Sequence, residues 1–194
     1  MKSKKCLTLI IVLKSLIGFA QFDVSIHPLP LIRSDINISL EYRASDEIGI
    51  ELTPQLEFDG YNRYSAPGSN RIRFNSVGFG ARLIGKYYLM PAKGCNKWII
   101  GPYLKFRQTT EKQEGIASGT NFTGTRYAVG FYSGYKFVSR RKIIMEIGMG
   151  LGRAFISEED SINYGAQNFI DIGNVNIDAT ANLTVGYRFG VKEN

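Results

Sequence analysis

From about Ile36 onward the chain alternates apolar and polar residues with a period of two, and nowhere sustains the spacing of an amphipathic helix. Ile36, Ile38, Leu40 and Tyr42 share one face, with Asn37, Ser39 and Glu41 between them. The same rhythm runs through Ile48–Phe58, Val77–Leu89, Trp98–Phe106, Tyr127–Phe137, Ile143–Phe155 and Val175–Phe189. Over these seven segments the apolar face carries one charge, Arg153, in 43 positions, whereas the intervening face carries ten in 36. Strands with one oily and one ionic face are predicted throughout.

Alternation alone does not say which face is inside. A soluble barrel of the lipocalin type turns its apolar side inward, and a membrane barrel turns it to lipid, where a charge near the midplane costs about 2–4 kcal/mol. Three features choose the membrane sign. Gly78, Gly80, Gly101, Gly130, Gly134, Gly148, Gly150, Gly152 and Gly186 all fall on the polar face, where they make room for Arg82, Tyr88, Tyr103 and Tyr132 to cross a narrow lumen. The ten polar-face charges balance, Glu41, Glu51, Glu57, Glu146 and Asp178 against Arg82, Lys86, Lys105, Lys136 and Arg188, as a mutually paired interior requires. Tyr87, Trp98, Phe137, Tyr187 and Phe189 lie on the apolar face beside the short connections, where an interfacial girdle belongs.

Connections alternate in length. Residues 43–47, 90–96 and 139–141 are short, and 59–71, 109–121 and 157–174 are long, the rhythm of periplasmic turns and external loops. Seven strands would start the chain on the wrong side, so an eighth is predicted from Phe22, Val24 and Ile26 against Asp23, Ser25 and His27, turning near 28–34. Pro54 and Pro102 fall inside later strands and predict bulges or rims there, because proline donates no ladder hydrogen bond. The fold class expected is all-β: an eight-stranded antiparallel up-and-down transmembrane β-barrel.

Composition narrows the setting. The 194 residues make one domain, and a mean hydropathy of −0.11 is too low for a helical membrane bundle. Residues 1–20 have the form of a secretory signal: Lys2, Lys4 and Lys5, then Leu7 to Leu13, then Gly18-Phe19-Ala20, with cleavage expected between Ala20 and Gln21. Residues 21–194 would be the barrel. Losing Lys2, Lys4, Lys5 and Lys14 takes the formal charge from +7 to +3, which removes the ground for a nucleic-acid partner. Cys6 leaves with the signal and Cys95 remains alone, so no internal disulfide holds the exported chain.

Several stretches carry a resemblance. They are His27-Pro28-Leu29-Pro30-Leu31-Ile32 leading into Asn37-Ile38-Ser39-Leu40-Glu41-Tyr42, then Gly101-Pro102-Tyr103-Leu104, Gly148-Met149-Gly150-Leu151-Gly152 and Gly186-Tyr187-Arg188-Phe189. The chain resembles the small eight-stranded outer-membrane barrels, in the company of OmpX and the OmpA transmembrane domain. More narrowly, it is similar to envelope proteins of the DUF3575 type. The resemblance implies the outer membrane of a Gram-negative bacterium and contact with its lipid, lipopolysaccharide included. It carries over no catalytic residue. Tyr187 and Phe189 are similar to the terminal signal read by the barrel-assembly machinery, although five residues follow Phe189 here.

Candidate chemistry is sparse, and no cofactor, metal or catalytic set is expected. His27 is the only histidine, and Ser25 shares its face, so a lipid-modifying enzyme is one alternative. A narrow pore for small solutes is another, and a soluble secreted lipocalin-like barrel a third. Gly78-Phe79-Gly80-Ala81-Arg82-Leu83 begins like a dinucleotide fingerprint, but Leu83 replaces the last glycine and no helix follows. Glu158-Glu159-Asp160 reads as a solvated acidic tip. Tyr61, Arg63, Tyr64 and Arg71 form the candidate external surface, since arginine with tyrosine suits lipopolysaccharide phosphates or a protein ligand. The expected role is structural or surface-interacting, without catalysis.

Overall fold

The computed structural model describes residues 21–32, 34–64, 71–92, 94–114, 121–157, 169–172 and 175–190, with backbone alone at 59–64, 71–75, 111–114, 121–122, 156–157, 169–172 and 175. The expected signal and Ala20 lie outside these residues, and Gln21 is the first of them. The strands are β1 (Phe22–Ile26), β2 (Ile36–Arg43), β3 (Ile48–Tyr64), β4 (Arg71–Leu89), β5 (Lys97–Glu114), β6 (Asn121–Val138), β7 (Ile143–Ser157), β8 (Phe169–Ile172) and β9 (Val175–Phe189). A single helical turn, α1 (Pro28–Leu31), joins β1 to β2.

Every neighbouring pair is antiparallel, and β1 also pairs with β9, so eight strands close on themselves while β8 lies beside β9 as an added edge. The pairing path Val24, Leu40, Leu52, Leu83, Leu104, Val129, Arg153 reaches Ile177 in β9. Val24 itself faces Tyr187, ten residues further on, and that offset is the shear of the barrel. Eight strands with this shear tilt by about 40° and enclose a backbone cylinder of about 8 Å radius, narrow enough for side chains to fill.

The face assignment follows the membrane sign. Ile38, Leu83, Ile147 and Val185 are exposed on the outer wall, whereas Glu51, Arg82 and Asp178 are 2%, 3% and 2% exposed inside. Trp98 packs edge-on to Tyr135 and Phe22 stacks on Phe189 at the short-turn end, where Tyr187 also meets Phe189. Phe79, Phe106 and Tyr127 form a second aromatic group further up. Eight residues separate Trp98 from Phe106 and Tyr135 from Tyr127. At this tilt that is a climb of about 20 Å, close to the ~25 Å apolar band of a membrane barrel.

Three expectations change. The connection expected at 59–71 is largely ladder, because β3 and β4 pair without interruption from Ile48↔Tyr87 to Tyr64↔Arg71, so the backbone polar groups of Asp59 and Gly60 find partners in a sheet instead of a loop. Likewise β5 runs to Glu114 and β6 begins at Asn121. Pro54 and Pro102 make no bulge: Pro54 faces Ala81 in an unbroken β3–β4 ladder, and the β4–β5 register is the same on both sides of Pro102, from Ile84↔Tyr103 to Tyr87↔Ile100. Each proline sits in a gap of two residue pairs on one side, Ile38 and Ser39 opposite Pro54 and Thr53, Gly85 and Lys86 opposite Pro102 and Gly101, and leaves the opposite ladder intact.

Candidate functional site

The sequence crowds large polar side chains and glycines onto one face, and closure of the barrel turns that face inward. Gly130, Gly150 and Gly152 surround the Tyr103 ring, and Gly148 lies under the Tyr132 hydroxyl. A side chain at Gly130 or Gly152 would meet neighbouring backbone as well as Tyr103, so these two positions hold the strands at a separation only glycine permits. The space is taken by Tyr88, Tyr103 and Tyr132, all buried.

Lys86 stands at the centre. Its Nζ donates to Glu41 Oε2 at 3.0 Å, to Glu51 Oε2 at 2.6 Å and to Glu146 Oε2 at 2.7 Å. The carboxylates of Glu41, Glu51 and Glu146 gather closely enough to hold a metal ion, but the ammonium occupies that centre. Lys136 bridges Asp23 Oδ2 at 2.7 Å and Glu41 Oε2 at 2.8 Å. Tyrosines complete the carboxylates: Tyr88 donates to Glu41 at 2.6 Å and Tyr132 to Glu146 at 2.8 Å, with Asn182 donating in turn to Tyr132 at 3.0 Å. The Lys86 and Lys136 ammonium groups also lie over the Tyr132 and Tyr88 rings. Removing this many charges from water is tolerable only when each finds several partners, and here each does.

Two further clusters continue the column. Towards the short-turn end Arg188 grips Asp23 through Nε and Nη2, both at 2.9 Å, and donates to the carbonyls of Gly94 and Cys95. The β4–β5 turn is thereby tucked under the barrel mouth, with the Cys95 N–H donating to the Asp46 carbonyl. Towards the other end Asp178 accepts from Tyr103 at 2.8 Å and from Lys105 at 3.0 Å, and Arg107 pairs with Glu57. The structure therefore brings all ten predicted lumen charges into one interior.

Sequence reading missed two members, Asp23 and Arg107. Asp23 was visible as a polar-face residue of the first strand. Arg107 is the next inward position after Lys105 and lies one residue beyond Phe106, where the apolar alternation ends although β5 continues to Glu114. His27 also differs from expectation. Its Nε2 lies 2.6 Å from Ser39 Oγ, not from Ser25, and Ser39 Oγ lies 2.7 Å from Thr53 Oγ1, which donates to Glu51. Both Ser39 and His27 are buried, at 1% and 4% exposed, so the hydroxyl is a link in the polar network.

Tyr61, Arg63, Tyr64 and Arg71 fall in the β3–β4 ladder, with Tyr61 facing Phe74, Arg63 facing Ile72 and Tyr64 facing Arg71. Their side chains lie outside the described residues, as does the acidic stretch 158–160. Burial pushes the Cys95 thiol up from its ordinary range, and the side chain is 0% exposed. A maleimide should therefore label the folded barrel roughly a hundredfold more slowly than the denatured chain, measured by mass shift with time. Equal rates would show that the turn does not stay tucked.

No family model matches the chain, and no curated protein is significantly similar to it. Solved structures do share the fold. Ail, the attachment invasion locus protein of Yersinia pestis, superposes with a TM-score of 0.52 at 10% identity, covering 88% of this chain and 99% of that one. Ail in complex with the heparin analogue sucrose octasulfate gives 0.50 over the same shares. Acinetobacter baumannii CarO gives 0.41 at 9% identity, over 87% of this chain and 96% of its own.

Proposed function

We propose that this chain is a Gram-negative outer-membrane barrel whose lumen is closed by ion pairs, with a structural or surface-interaction role and no catalysis. The observation that carries the reading is the inverted wall, apolar side chains outward between two aromatic groups and charges enclosed. A soluble lipocalin-like barrel would require the opposite. In this reading the start of β1 at Phe22 and the end of β9 at Phe189 lie together at the periplasmic rim, and Tyr187 with Phe189 on β9 addresses the chain to the assembly machinery. Lipopolysaccharide contacts the outer half, and Tyr61, Arg63, Tyr64 and Arg71 belong to the emergent ladder. Ail, an attachment invasion locus protein, shows that this fold can carry such a contact role. The DUF3575 likeness is the finer form of the proposal and rests on the short motifs alone.

The deciding experiment is gel mobility of isolated outer membranes with and without boiling. The unboiled protein should run ahead of the boiled one, because a closed barrel stays compact in detergent. Recovery in the soluble periplasmic fraction, with no mobility difference, would overturn the placement.

The narrow-pore alternative meets the Lys86 and Lys136 clusters, which bridge the lumen from β2, β3, β4, β6 and β7. Planar bilayers should show no stable conductance step, and a reproducible channel would select the pore reading. The enzyme alternative needs a nucleophile open to lipid, whereas Ser39 is enclosed between His27 and Thr53.

A further inference from the structure

The outer wall has one chemical interruption. Over the seven alternating segments its single charge is Arg153, on β7. The side chain is exposed, and among the described residues it pairs with no carboxylate. Its guanidinium lies over the Phe155 ring, 5.2 Å from the centroid. Arg153 stands ten residues above Ile143, where β7 starts, a climb of about 25 Å at the barrel's tilt. That brings it level with Phe106 and Tyr127 of the upper aromatic group, at the height of lipid headgroups.

A groove leads up to it. Leu52, Leu83, Leu104, Val129 and Arg153 pair in turn across β3 to β7. With the shear this row rises by about 3 Å per strand, so Arg153 ends it about 12 Å above Leu52. A second row, Ala81, Phe106, Tyr127 and Phe155, runs beside it one outward position higher. Between the rows lies a cavity of about 370 Å³, bounded by both of them up to Val129 and Phe155. Ala81 opens it, as the one short side chain among large ones. A fatty chain laid in this groove runs from within the apolar band to headgroup level, and there it meets a cation. A guanidinium takes phosphate oxygens through two N–H groups at once, which suits it to an anionic head. A second copy of the barrel fits less well, because its own outer wall offers Arg153 no carboxylate over the alternating segments and would strand the charge.

We infer that the groove across β3 to β7 seats one phosphorylated lipid of the outer leaflet, its phosphate against Arg153 and one alkyl chain against Ala81, Leu104 and Val129. The inference rests on the membrane placement proposed above and assigns its lipid contact to one place on the wall.

The test is native mass spectrometry of the barrel extracted in a neutral detergent, titrated separately with phosphatidic acid, phosphatidylcholine of the same chains and inorganic phosphate. One saturable adduct is expected with phosphatidic acid, at least tenfold tighter than with either of the others. Arg153→Gln should weaken it at least tenfold while the boiled-versus-unboiled mobility difference persists, since the side chain touches nothing in the lumen. Ala81→Phe, which fills the groove and removes no charge, should weaken it as much and serves if the first variant does not fold. Equal binding of phosphatidylcholine, or full binding by Arg153→Gln, would remove the role of the cation. Equal binding of inorganic phosphate, or full binding by Ala81→Phe, would remove the role of the groove. A lipid-free dimer abolished by Ala81→Phe would give the groove to a second copy. Any of these, or no saturable adduct, overturns the inference, while an intact mobility difference leaves the membrane placement standing.

Discussion

Lys86→Met should destabilise the barrel by about 3–5 kcal/mol, because it removes the one cation shared by three buried carboxylates. Methionine nearly matches the lysine stem in length, so packing changes little and the loss is electrostatic. Glu51 would keep Arg82 at 3.4 Å and Glu41 would keep Lys136 at 2.8 Å, but Glu146 would retain only the Tyr132 hydroxyl. The uncompensated charge then sits on β7, where neutralisation should rescue it. Adding Glu146→Gln to Lys86→Met should recover a good part of the loss, since an amide there still accepts from Tyr132 and leaves no bare anion. The measurement is the urea midpoint of the fast-migrating band for the parent and both variants. A Lys86→Met barrel as stable as the parent would mean the cluster is hydrated and the lumen is not sealed.

Much of this site was legible before any coordinates, and the reason is periodicity. A strand has only two faces, so assigning Glu51 and Arg82 to the same side of neighbouring strands already places them in one interior once the sign of the rhythm is known. Glycine supplied that sign, because Gly148 and Gly152 have no use on a solvated face and an evident one opposite Tyr132 and Tyr103. Pairing partners were a different matter. Lys86 could have met any acid on the inner face, and its choice of Glu41, Glu51 and Glu146 depends on a shear of ten that no local pattern encodes. Strand ends are not encoded in the alternation: Asp59 and Gly60 have the composition of a turn, yet they pair with Ser76 and Asn75 because a ladder follows hydrogen-bond pairing and continues after the oily rhythm stops.

Leu83→Arg should cost about 2–4 kcal/mol in lipid vesicles and Leu89→Arg about 0–1 kcal/mol, a contrast that measures depth directly. Both side chains are on the outer wall of β4, at 42% and 38% exposed, so neither change disturbs the lumen. They differ in height alone. Leu89 ends β4 opposite Trp98 in the lower aromatic group, and Leu83 lies six residues above it, opposite Leu52 and Leu104. Six residues at this tilt amount to about 15 Å, near the middle of the ~25 Å band. An arginine at the rim reaches headgroups with its own stem, whereas one at Leu83 must drag water inward or leave the wall. Equilibrium unfolding by urea in vesicles reads both costs. Equal small penalties at the two sites would mean that no hydrocarbon surrounds this wall, which would remove the reason for enclosing so many charges inside it.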